Sequence, residues 1–82
     1  MSFEEELREE NRKLRHLKLV VDLTLNVIGQ TNVSVDEALD LVSGVRELAL
    51  KLFPGKELAF ELIYEPRFRR VLEERFSRSW SP

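Results

Sequence analysis

The chain has no cysteine, so neither a disulfide nor a thiolate metal site can reinforce its fold. It has a single histidine, His16, which rules out the paired imidazoles of most transition-metal centres. Three glycines are too few and too scattered for a phosphate-cradling loop. No apolar run is long enough to span a bilayer, because Lys18, Asp22 and Asn26 interrupt the longest one, Leu17 to Ile28. The acidic N-terminus lacks the positive charge that opens a signal peptide, and the expected location is the cytoplasm. A net charge of −2 is the wrong sign for a protein whose main task is to coat nucleic acid.

What remains is a charged, globular composition, 43% apolar and 34% ionisable, on 82 residues. That length supports one domain with a marginal core. With no disulfide or metal to help, assembly with further copies is the expected source of extra stability.

The hydrophobic pattern changes along the first third of the chain. Phe3, Leu7, Leu14, Leu17 and Val21 form one stripe at steps of three and four, broken by Glu10 and Asn11. From Leu17 to Ile28 the residues are apolar almost all the way round. The spacing predicts one helix over 3–28, with Gly29 as its cap. Residues 1–16 form a projecting, coiled-coil-like arm, and the later half is packed on several sides. Glu4–Arg8 and Glu9–Lys13 have the spacing of local ion pairs.

Ser34-Val35-Asp36-Glu37 has the form of a capping box and starts a second helix reaching about Phe53. Val35, Ala38, Leu39, Val42, Val45, Ala49, Leu52 and Phe53 are its expected inner face, widened by Leu41 and Leu48. Pro54-Gly55 ends it. Residues 57–65 fit two readings. Leu58, Phe60, Leu62 and Tyr64 alternate as in a strand, whereas Glu57, Glu61 and Glu65 make one polar strip of a helix. Helix is preferred, since Leu, Ala and Glu favour it and a lone strand would have no partner within the chain. Pro66 begins or kinks a last helix with Phe68, Val71, Leu72 and Phe76 inside. The whole reads as an all-α bundle of three to four helices over 1–76, completed by dimerisation, with a flexible tail at 77–82.

Arg15 to Leu52 resembles the linker helix and first domain helix ahead of GAF-type sensor modules. There a coiled-coil arm runs into a Leu-rich helix, a short loop and an acidic capped helix like Ser34-Val35-Asp36-Glu37-Ala38-Leu39. Such a likeness implies a sheet and a ligand pocket downstream. No sheet-forming sequence follows here, and the similarity stops before half the chain is covered.

No residue set amounts to a catalytic site, and no cofactor or metal is expected. The Glu57, Glu61, Glu65 strip lacks the Glu-x-x-His pairs of carboxylate-bridged metal bundles and reads as a solvated face. His16 lies among Arg12, Lys13, Arg15 and Lys18, whose positive field opposes a bound cation. Three candidate surfaces are left. The stripe of Phe3, Leu7, Leu14, Leu17 and Val21 is an oligomer interface, a dimer being favoured, with its parallel or antiparallel sense open. Arg67, Arg69, Arg70, Arg75 and Arg78 make an anion-binding face, which supports a second reading as a nucleic-acid-associated regulator. Trp80, alone in a polar tail, is a possible anchor for another protein.

Overall fold

The computed structural model describes residues 2–76; the expected tail, with Arg78 and Trp80, lies outside the described residues. Four helices follow one another: α1 (Phe3–Gln30), α2 (Val35–Leu52), α3 (Glu57–Ile63) and α4 (Glu65–Phe76). The protein is all-α, with no strand among the described residues. α1 packs against α2 and α4, and the short α3 bridges the return from α2 to α4. The longest dimension is 58 Å, against 23 and 16 Å across.

α1 begins where the Ser2 hydroxyl accepts a hydrogen bond from the Glu5 amide, with Glu4, Glu5 and Glu6 in the first turn complementing the helix dipole. Gly29 does not cap it. The helix continues to Gln30, and Thr31 closes it in an extended conformation. The Thr31 amide and hydroxyl both donate to the Val27 carbonyl, satisfying an otherwise orphaned acceptor. A left-handed glycine is therefore unnecessary, and Gly29 stays helical beside Val71.

α2 starts at the capping box. The Glu37 amide donates to Ser34 Oγ at 3.1 Å, and the Ser34 amide donates to Glu37 Oε1 at 3.2 Å. Its end is a turn in which Gly55 takes φ of +80°, where a side chain would be strained. The 57–65 segment is helical. Phe60, Tyr64 and Phe68 fall four apart and are all buried, while Leu58 and Leu62 are exposed. The period is thus that of a helix, and the apparent alternation is incidental.

That aromatic row runs straight through the break between α3 and α4. Pro66 has no amide to offer the carbonyl four residues back, and its ring crowds that carbonyl, so the ladder is interrupted. It is restored by the amides of Arg67 and Phe68, which both donate to the Tyr64 carbonyl.

Leu17, Val21, Ile28, Ala38, Val45, Ala49, Phe60, Tyr64 and Phe68 form the core. The one buried polar side chain among the described residues, Thr24, donates its hydroxyl to the Val20 carbonyl at 2.8 Å and so enters the core satisfied. The expectation that later α1 is packed on several sides is corrected. Leu19 and Leu23 remain 57% and 55% exposed, because α2 and α4 both lie on the Leu17–Ile28 face and no element reaches the back. Leu39 and Leu41, placed inside α2 by pattern, are exposed for a similar reason: a three-helix arrangement covers only a limited arc of each helix.

Phe68 is the largest fully buried side chain. Phe68→Ala is expected to cost about 3–5 kcal/mol, a large share of the ~4–12 kcal/mol available to a domain this small. Chemical denaturation should show its midpoint strongly lowered. Gly44 is helical with no atom within 4 Å of an added Cβ, so Gly44→Ala should raise stability by about 0.5–1 kcal/mol. An unchanged or lowered melting temperature would contradict that packing.

Candidate functional site: the uncovered face of helix 1

The expected interface residues divide into two groups. Val21 is fully buried inside the single chain, and Leu17 is nearly so, reaching the surface only as part of the notch described below. The stripe they share with Ile28 is the face on which α2 and α4 pack. Phe3, Leu7 and Leu14 lie on that same face, since successive residues of a helix turn by about 100°. They are 77%, 50% and 40% exposed. The core-facing side of α1 therefore continues beyond the helices that cover it. Every residue from 2 to 12 is exposed.

The limit of cover is set by the α2–α3 turn. There Leu14 and Leu17 meet Phe53, Phe60, Ile63 and Tyr64 around an open notch of about 210 Å³. Its lining is nearly all apolar, with Lys56 the one charged residue. A second, wider groove of about 580 Å³ runs between α2 and α4 on the side away from α1, floored by Val35, Val42, Phe68 and Leu72. Arg8, Asn11, Arg12 and Arg15 border a shallow polar depression on the arm itself.

The arginines of α4 do not form one face. Arg67 and Arg70 sit together, but Arg69 is turned to the far side and lines the α2–α4 groove with Glu65 and Glu73. Arg75 is engaged within the chain: its guanidinium donates to the Thr31 carbonyl at 3.1 Å, tying the end of α4 to the end of α1. The local pairs Arg69–Glu73 and Arg70–Glu74 do not close, nor do Glu4–Arg8 and Glu9–Lys13; the arm instead has a loose Glu10–Lys13 contact at 3.9 Å.

The acidic strip is used structurally. Arg46 of α2 bonds Glu65 and lies 3.9 Å from Glu61, joining α2 to both sides of the Pro66 break. Sequence reasoning passed over Arg46, because nothing at its own position distinguishes it from a solvated helical arginine. Its partners lie across the chain, in two glutamates four apart that belong to α3 and α4. His16 is exposed on α1. Among the described residues no three His, Asp or Glu side chains converge as metal ligands, and no helix is long and apolar enough to cross a membrane.

Arg46 and its partners are substantially exposed, so solvent screens the interaction. Arg46→Ala should cost about 1 kcal/mol or less, measured by urea titration. A loss as large as that of Phe68→Ala would show the bridge to be part of the core.

No known protein family, curated protein or solved structure matches the chain. The functional reading therefore stands on the geometry.

Proposed function

We propose that the protein is a homo-oligomerisation module, most simply a dimer, in which the arm of α1 is the assembly surface. One observation carries the reading: the core face of α1 runs on past its cover, presenting Phe3, Leu7 and Leu14 to solvent. A helix with an apolar stripe is stable in water when that stripe is packed, and isolated arm-length helices are marginal. α1 has 28 residues and α2 has 18, so about ten residues, or ~15 Å, of α1 have no neighbour of matching length. A second copy supplies the same unmatched stripe, and burial of both removes the exposure.

Charge supports an assembly contact of this kind over a nucleic-acid one. Arg69 is separated from Arg67 and Arg70 by the turn of the helix, and Arg75 already bonds Thr31. The α4 cations thus offer a phosphate backbone no continuous track.

Leu7→Glu places a charge at the centre of the exposed stripe without touching a buried residue. It is expected to weaken association by at least about tenfold while leaving helix content and monomer stability nearly unchanged. Light scattering after size exclusion, at low and high micromolar concentration, measures the mass. Identical masses for the wild type and Leu7→Glu would overturn the assignment.

A further inference from the structure

We infer that the two copies pair antiparallel through their arms, each Phe3 seating in the notch at the other's α2–α3 turn. The inference rests on the assembly reading above and adds the orientation, register and receptor site.

The first argument is charge. The outer part of the arm carries Glu4, Glu5, Glu6, Glu9 and Glu10 against a lone Arg8. The inner part carries Arg12, Lys13, Arg15 and Lys18 with no carboxylate between them. An antiparallel pair lays Glu4, Glu5 and Glu6 of each arm on the basic part of the other, with Glu9 and Glu10 of the two copies level with each other near the twofold axis. An in-register parallel pair lays like on like twice.

The second argument is which flank each charge occupies. At about 100° per residue, Glu4, Arg15 and Lys18 border the Phe3–Leu7–Leu14 stripe on one side, and Glu6 and Lys13 border it on the other. Reversing one helix brings the same flank of both copies together, whereas keeping them parallel opposes different flanks. With Phe3 set between Leu14 and Leu17 of the second copy, Glu4 falls opposite Arg15 and Glu6 opposite Lys13, each pair occurring twice by symmetry. In the parallel arrangement the Glu4 flank meets the Glu6 flank. Lys13 is free to take this partner, its contact within the arm being only the 3.9 Å approach to Glu10.

The third argument is the receptor. The same register brings Phe3 to the notch that Leu14 and Leu17 themselves line. A cavity of about 150 Å³ accepts a benzene ring, and the notch offers about 210 Å³ of nearly all-apolar space. Lys56 is the one charge lining the notch, and Phe3 is followed in the chain by Glu4, Glu5 and Glu6. Phe3 is the most exposed large apolar residue, and the notch is an apolar hollow at the base of the same stripe. Each copy thus carries both halves of a reciprocal contact. Apolar burial at Phe3 and Leu7 gives affinity, and the flanking charges select the orientation.

The absence of cysteine makes a direct test available. Glu6→Cys and Lys13→Cys are both surface changes on α1. Each variant alone, and an equal mixture, is treated with a short bismaleimide cross-linker and run on a denaturing gel, with light scattering on the wild type alongside. The linker is needed because flanking residues of helices packed about 8–10 Å apart lie beyond the Cα separation of about 4.4–6.8 Å that a disulfide allows. The antiparallel register predicts covalent dimer in the mixture and almost none in either variant alone. Parallel arms place the two copies of each residue on opposite flanks of the seam, so a dimeric wild type with no covalent dimer in any sample would overturn the orientation while the dimer stands. Covalent dimer within a single variant would also overturn this register. A monomeric wild type at high micromolar concentration would overturn the assembly reading itself. Phe3→Ala gives a separate check on the receptor. It should weaken the dimer about tenfold or more with no change in monomer stability, and an unaltered dimer would remove Phe3 from the notch.

Discussion

The structure depends on one mismatch of length. α1 is longer than any element that can lie against it, and everything else in the chain is arranged around its later half. The turn at Pro54-Gly55 fixes where cover stops, since α2 ends there and the chain must cross to α3. Had α2 continued for three more turns, Phe3 and Leu7 would have been core residues. As it is, they are core residues without a core. Their stripe is continuous with Leu17, Val21 and Ile28, and the same helix changes from interior to surface along its length with no change in the face it presents.

The break at Pro66 sets the other boundary. Without it α3 and α4 would form a single helix from Glu57 to Phe76, with Phe60, Tyr64 and Phe68 in one straight row. The missing amide lets the chain bend between Tyr64 and Glu65, so that Phe60 packs under the α2–α3 turn while Phe68 reaches the middle of the bundle. Phe60 and Tyr64 are in tilted contact just before the bend, with ring centroids 5.6 Å apart. Arg46 then holds the outside of the break through Glu61 and Glu65. A local covalent constraint, an aromatic row and one bridging cation together define how far the bundle extends towards the arm.

Much of this was legible in the sequence because it depends on local chemistry. The Ser34–Glu37 capping box, the stop at Pro54-Gly55 and the helical period of Glu57, Glu61 and Glu65 all follow from residues a few positions apart. Burial around α1 did not follow, since it depends on how many neighbours the fold supplies. Leu19, Leu23 and Val27 looked like core because a helix apolar on every side is ordinarily surrounded. Among the described residues only α2 and α4 reach α1, and both lie on one side of it. Gly29 misled for a related reason: glycine permits a left-handed cap but does not demand one, and Thr31 satisfied the terminal carbonyl first. The separation of Leu17 and Val21 from Phe3, Leu7 and Leu14 is of the same kind. One stripe was visible, but the point at which it leaves the core is set by α2 and α3.

A small core and an exposed stripe both follow from how little of α1 the other described helices cover. A longer α2 or α3 would have covered more of α1, and would also have removed the surface on which we propose that copies meet. The break in the stripe at Glu10 and Asn11 matters in this light. An unbroken apolar seam pairs strongly but tolerates slippage by a turn, because each layer resembles the next. A polar layer between Leu7 and Leu14 makes most shifted alignments bury a carboxylate or amide against leucine, a cost that falls differently on each register. The Glu-rich outer part and the Arg- and Lys-rich inner part then separate the alignments that survive. Affinity in such a contact is limited by a stripe of three residues, so its selectivity has to come from charges arranged along the helix, and that is where the arm spends most of its sequence.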